Sequence, residues 1–213
     1  MSNKELVLNR FKIEKYNKTP LTIEFKTLES LTAKLEMITD KILSDADGVA
    51  LLAKWRDENS EAFPAQFKVT LDGTKIWCQK ALLDKQERIL FWVIDSTNKK
   101  IGHIGLFRMN DSGDQIEIDN IVRGEKSKDK KIIQLAIEAM LNWQRTELKI
   151  GNSYLRVFSN NDRAINLYKN MNYVEIQRVP LKKKLTAEST DWIEIISSPY
   201  EVAEKYFVTM RQI

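Results

Sequence analysis

The chain is poor in the residues that build metal clusters, disulfide frameworks and flexible linkers. It has one cysteine, Cys78, and one histidine, His103, in 213 residues. A lone thiol excludes an intramolecular disulfide and fits a reducing, cytoplasmic setting. With one histidine a multi-histidine metal site is not expected, and no metal ligand is assigned. Glycine and proline number only 7 and 4, so no linker or low-complexity segment is expected. No apolar run is long enough to span a bilayer, and the opening MSNKELVLNRFKIEKYNK lacks the apolar stretch of a secretory leader. Charge of one sign is also missing. The 34 basic and 30 acidic residues leave +4, too mild for a nucleic-acid partner yet compatible with a small polyanionic ligand.

What is present is 43% apolar content, enough to bury a sizeable core, with no repeat. A single domain over residues 1–213 is expected. Weak alternation over Leu6–Lys15 and Leu21–Lys26 suggests a strand or hairpin. Leu31–Leu43 and Val49–Asp57 carry apolar residues at helical spacing. Phe63–Phe67 reads as a loop, and Thr70 as the cap of a helix through Ile76, Trp77, Ala81 and Leu82. From Arg88 the period falls to two. Arg88–Asp95, Lys100–Met109 and Gln115–Val122 form a three-strand meander joined by turns at Ser96–Lys99 and Asp111–Asp114. Ile132–Leu148 is the strongest helix. The tail adds strands near Trp192–Ile195 and Lys205–Met210. The order is α/β, with a mixed, mostly antiparallel central sheet flanked by helices.

Residues 152–176, NSYLRVFSNNDRAINLYKNMNYVEI, are the most informative stretch. A β-prone run through Leu155, Val157 and Phe158 stops at Ser159-Asn160-Asn161-Asp162, residue types that cap helices. Ala164, Ile165, Leu167, Tyr168 and Met171 then recur at helical spacing, and Asn172 suits the left-handed turn that ends a helix. Asn161-x-Arg163-Ala164-Ile165-x-Leu167-Tyr168, with a strand opening at Tyr173, resembles the second half of the GCN5-related N-acetyltransferase (GNAT) core. The meander, long helix, strand, short helix and final strands follow the same order.

The resemblance implies an N-acyltransferase that uses acyl-coenzyme A, with residues 88–213 as the acyl-CoA core and 1–87 on the acceptor side. It implies that Tyr168 serves the departing sulfur. The ordinary tyrosine pKa of about 10 lies above that of the thiol. It implies a backbone N–H near Asn120–Val122 for the thioester oxygen, with the pantetheine arm pairing there as an extra strand. The family's glycine-rich phosphate turn is here Arg123-Gly124-Glu125-Lys126-Ser127-Lys128-Asp129-Lys130-Lys131, with Asp129 and Lys131 at the usual glycine positions. The alternatives are a lysine-assisted phosphate cradle and a solvated helix start capped by Asp129. The cofactor contacts expected on this basis are Asn120, Ile121, Val122, Arg123, Lys126, Lys128, Asp129, Lys130, Lys131, Ile132 and Asn161.

The residues themselves suggest a base. Ile116 and Ile118 share one face of their strand, so Glu117 and Asp119 share the other. Asp119, nearer the presumed thioester, ranks first as proton acceptor. His103, Glu117, Trp55 and Arg56 are candidate substrate contacts. Trp55-Arg56, with Phe63, Phe67 and Trp77, mixes aromatic and cationic groups suited to a ring and a diphosphate. Together with Asp119-Asn120-x-Val122-Arg123-Gly124, they are similar to a GNAT branch that acylates the amine of nucleotide-linked deoxyamino sugars in bacterial surface-polysaccharide biosynthesis. The expected partners are therefore an acyl-CoA and a nucleotide-linked amino sugar, with no nucleic acid or membrane and with a homodimer left open. A protein or small-amine acceptor, or a non-catalytic coenzyme A-binding protein, are the competing readings.

Overall fold

The computed structural model describes residues 1–196 and 202–213. In chain order the elements are α1 (Asn3–Lys15), β1 (Thr22–Lys26), β2 (Thr32–Met37), a 3₁₀ turn (Asp40–Ser44) and α2 (Ala46–Glu58). A second 3₁₀ turn (Ser60–Ala62), β3 (Ala65–Phe67) and α3 (Leu71–Trp77) follow, α3 running into a π-helical turn, Cys78–Leu83. Then come β4 (Ile89–Ile94), β5 (Lys100–Phe107), β6 (Gln115–Arg123), α4 (Ile132–Glu147), β7 (Asn152–Phe158), α5 (Asp162–Lys169), β8 (Tyr173–Leu185), β9 (Ser189–Glu194) and β10 (Lys205–Gln212).

The strands form one sheet in the order β1-β2-β4-β5-β6-β7-β10-β8-β9-β3. Among the described residues every pairing is antiparallel except β6 with β7. The expected mixed sheet with flanking helices is therefore observed. One core layer, with Ile116, Ile118, Ile137, Met140, Leu155 and Val157, packs α4 on the sheet. The other, with Leu52, Trp55, Leu82, Leu90 and Trp92, packs α2 and α3 on the opposite face. No helix among the described residues is long and apolar enough to cross a membrane.

Two early expectations are corrected. Residues 3–15 form a helix, not a strand. The Ser2 hydroxyl accepts the Glu5 N–H at 3.2 Å, and the Ser2 N–H donates to the Glu5 carboxylate at 2.7 Å. This reciprocal cap starts a helix whose Val7, Phe11 and Lys15 are buried four residues apart. Residues 32–37 form a strand, not a helix. Ala33, Leu35 and Met37 alternate into the core, and β1 and β4 pair with the strand on both sides. Leu31, which made the helical spacing, is exposed. Sheet pairing overrode a coincidental period. The 63–67 loop also contains a short strand, β3, which pairs with β9 at Gln66 and Thr190.

Gly124, just past β6, lies flat against the buried Trp55 ring, and a Cβ there would overlap that ring. Its N–H and that of Glu125 both donate to the Ile101 carbonyl, at 2.9 and 2.8 Å. Replacing Gly124 with alanine should therefore overpack this contact and cost about 1–3 kcal/mol. Gly151→Ala, where nothing lies within 4 Å of an added Cβ, is the control in urea denaturation. Equal midpoints for the two variants would show that the close packing on Trp55 carries no stability.

Candidate active site

The site begins where two parallel strands part. β6 and β7 pair only over Gln115–Glu117 with Asn152–Tyr154. Beyond that point β6 bulges: Asp119 still opposes Gly105 and Val122 opposes His103, so β6 carries one extra residue against β5. Asn120 takes up that residue with φ 52°, a left-handed conformation that asparagine tolerates better than most side chains. Its carbonyl lies 2.8 Å from His103 Nδ1. A carbonyl can only accept, so the proton sits on Nδ1. Burial lowers the His103 pKa to about 4, and the ring is neutral at physiological pH. The Asn120 side chain donates to Asp119 at 2.7 Å.

The parting strands open a cleft of about 710 Å³. At one end it is walled by the starts of α4 and α5. Lys130 and Lys131 just before α4, Ile133 and Gln134 in its first turn, and Asn161, Arg163 and Ala164 at the start of α5 line it. The Ile133 and Gln134 amides have no partner among the described residues, as expected for a helix start open to an anion. Lys126, Lys128 and Asp129 do not line the cleft. The Asp129 carboxylate instead accepts the Lys131 N–H at 2.8 Å and approaches the Leu28 N–H at 3.4 Å. Ile132 is fully buried in the core. The loop's only glycine is committed to Trp55. Asn161 caps α5 by accepting the Ala164 N–H at 3.1 Å.

Tyr168, on α5, lines the cleft and is 7% exposed. Its hydroxyl has no hydrogen-bond partner among the described residues, and burial pushes its pKa above the ordinary value. It therefore stays protonated. Asn120, Ile121, Val122 and Arg123 line the cleft from the bulged strand opposite.

At the other end the walls come from α2, β3, α3 and the sheet. The Arg56 guanidinium lies 4.0 Å from the centre of the Phe63 ring and 5.1 Å from that of Phe67, and donates to the Ala65 carbonyl. Asp119 pairs with Arg88 at 3.2 Å, and Glu117 with Arg108 at 2.6 Å and Arg156 at 3.2 Å. Glu117 is thus bound by two arginines inside the protein rather than left open to a substrate. Trp55 is fully buried, packs on Trp92 and His103, and donates to Glu125 at 3.3 Å. It does not line the cleft. The expectation that it stacks on a substrate is corrected, because α2 turns this face to the core.

Arg88, Arg108, Arg156 and Arg163 all line the cleft, and none was given a site role from the sequence, although Arg163 stands in the Asn161–Tyr168 motif. A signal existed for Arg156, which stands between the buried Leu155 and Val157 and so shares a face with Glu117 of the neighbouring strand. Arg108 adopts φ 51°, a backbone feature that sequence does not reveal. In all, eight cationic side chains and two carboxylates line the cleft, a balance of +6, and both carboxylates are in ion pairs.

Comparison with known proteins decides the family. The model for the acetyltransferase (GNAT) domain matches residues 37–174. The chain belongs to the GNAT acetyltransferases. Acetyl-CoA is the family's co-substrate, and the chain is an N-acetyltransferase. The free β6 edge, the open α4 start and the two lysines beside it fit the pantetheine and diphosphate of that ligand. Solved structures share the fold. A probable GNAT acetyltransferase from Chromobacterium violaceum aligns at a TM-score of 0.64 with 14% identity, covering 93% of this chain and 94% of that one. A spermidine N-acetyltransferase from Vibrio cholerae, in complex with CoA and spermine, aligns at 0.56 with 17% identity, covering 84% and 94%. A chimera of that enzyme reaches 0.57 with 18% identity over 85% and 95%. Among curated proteins none matches the chain significantly.

The buried histidine predicts a pH dependence of GNAT stability here. His103 titrates near 6.5 when unfolded and near 4 when folded. The unfolded chain then binds more protons between those values, so the stabilisation held above pH 6.5 is lost as pH falls toward 4. The loss amounts to about 3 kcal/mol. Urea denaturation from pH 7 to 4 should therefore fall more steeply for the parent than for His103→Asn. Parallel curves would mean that the histidine titrates alike in both states.

Proposed function

We propose that this acetyltransferase moves an acetyl or short hydroxyacyl group from acyl-CoA to the amine of a nucleotide-linked deoxyamino sugar. The observation that carries the reading is Arg56, set against Phe63 and Phe67 with no carboxylate paired to it among the described residues, in a cleft whose lining totals +6. A part-buried guanidinium beside the half-buried Phe63 ring and the exposed Phe67 ring suits a phosphate attached to a flat base. Coenzyme A brings about four negative charges, and Lys130, Lys131, Arg163 and Arg123 stand at its end of the cleft. Arg56, Arg88, Arg108 and Arg156 remain for the acceptor. A polyamine such as the spermine bound by the Vibrio cholerae neighbour would meet like charge, at a cost that specificity exploits.

In this reading positioning supplies much of the rate. The β6 edge holds the pantetheine arm and presents a backbone N–H to the thioester oxygen. Tyr168 gives the departing sulfur a proton or a hydrogen bond. Asp119, one residue before the bulge and oriented by Arg88 and Asn120, takes the proton of the acceptor amine. Lys130 and Lys131 serve the diphosphate. Lys126 and Lys128 act at most through the long-range field.

A panel of acceptors with acetyl-CoA tests the substrate. A nucleotide-linked amino sugar should give the highest kcat/KM, and Arg56→Met should raise its KM roughly 10–100-fold, as expected for a lost charged hydrogen bond. Affinity for CoA should not change. Faster acetylation of spermidine or of a peptide would overturn the sugar assignment.

Tyr168→Phe removes a hydroxyl that bonds no protein group among the described residues, so the melting temperature should hold. Turnover should fall about 10²–10⁴-fold while the KM for acetyl-CoA moves little. A loss below about tenfold would assign the sulfur's proton to water or to a backbone group.

A further inference from the structure

The neutral His103 ring has no place among the proton carriers above, yet its position is closely fixed. It stands on β5 opposite Val122, beside the bulge, with the buried Trp55 ring 6.1 Å away and tilted by 35°. Its Nδ1–H is spent on a backbone carbonyl, that of the left-handed Asn120. None of the described peptide bonds is cis. In a trans peptide the C=O and the following N–H point in opposite directions. With the Asn120 carbonyl turned to His103, the Ile121 N–H points away from the ring. Past Glu117, β6 has no strand paired on its β7 side among the described residues, so the hydrogen-bonding groups on that edge are open to a ligand.

We propose that His103 is a positioning residue for acyl transfer: by holding the Asn120 carbonyl, it fixes the Ile121 N–H as the donor to the thioester oxygen. As the amine attacks, the C–N bond forms and the carbonyl π electrons move onto that oxygen. When the carbonyl re-forms, the C–S bond breaks and its electron pair leaves with sulfur. A donor that is already oriented costs nothing to reorganise at that moment. A bulge peptide without the histidine could rotate, and the donor would be lost in part of the population. The role holds whichever amine is the acceptor.

Isotope-edited infrared spectra of carbonyl-labelled acetyl-CoA, bound to the full chain without an acceptor, read this donor directly. The thioester band should shift to lower frequency in the parent and return toward its free position in His103→Leu, with acetyl-CoA affinity within about twofold. Turnover should fall, by as much as roughly 10²–10³-fold, the effect reached when one such donor is lost outright. His103→Asn, whose amide N–H can occupy the Nδ1 position, should restore much of both signals. His103→Gln, which reaches the Nε2 position instead, should not. An unshifted band in the parent, a band unchanged in His103→Leu, or equal rescue by Asn and Gln would each overturn the proposal. If His103→Leu melts early, the Asn and Gln pair still decides. A failed acceptor panel with an intact infrared signature would sink only the sugar assignment.

Discussion

The structure depends on the separation of two strands. β6 and β7 share three residue pairs and then part, and just past that point β6 carries an extra residue against β5 at the left-handed Asn120. A parallel pair that continued would close the sheet and satisfy its own backbone. Here the N–H and C=O groups of β6 past Glu117 are left without a strand partner among the described residues. They cannot stay idle, since a backbone group in a part-buried cleft must find water or a ligand. The long α4 and short α5 start on opposite sides of that gap, which brings two helix N-termini to one end of the cleft.

Electrostatics then divide the gap. The carboxylates that the strand pattern aims into it are met by arginines: Asp119 by Arg88, Glu117 by Arg108 and Arg156. Each pair is part-buried, so breaking one side would leave a charge in a low-dielectric site. These pairs hold Arg88, Arg108 and Arg156 at fixed places rather than cancelling the field. The remaining cations give the cleft its excess. The turn before α4 is not built as a glycine cradle. Its glycine packs on Trp55, Asp129 ties down the loop, and the open amides belong to the first turn of α4.

Much of this was legible in the sequence, and the limits have physical causes. The meander, α4 and the Asn161–Tyr168 segment could be read because each buries one face against one layer, so its period survives. Asn172 takes the expected left-handed turn with φ 61°. Leu21–Lys26 was read as a strand and is one, but residues 31–43 were misread because Leu31, Leu35, Ile38 and Ile42 imitate a helix while strand pairing on both sides decides the matter. Lys126 and Lys128 could not be told from Lys130 and Lys131, since a loop's path is not periodic. Trp55 was placed on the wrong side because it is covered by Gly124, 69 residues away in the chain and in contact only after folding. The arginines on β7 and at the ends of β4 and β5 were visible as residues, but their convergence is a property of the sheet order.

The most direct test of the parted-strand site is a crystal structure with a thioether analogue of acetyl-CoA, which cannot react. The pantetheine amides should pair with β6 between Ile118 and Val122, the diphosphate should meet the Ile133 and Gln134 amides, and the sulfur should lie beside Tyr168. A ligand seated outside the gap between β6 and β7, or a diphosphate held by Lys126 and Lys128 away from the start of α4, would contradict it.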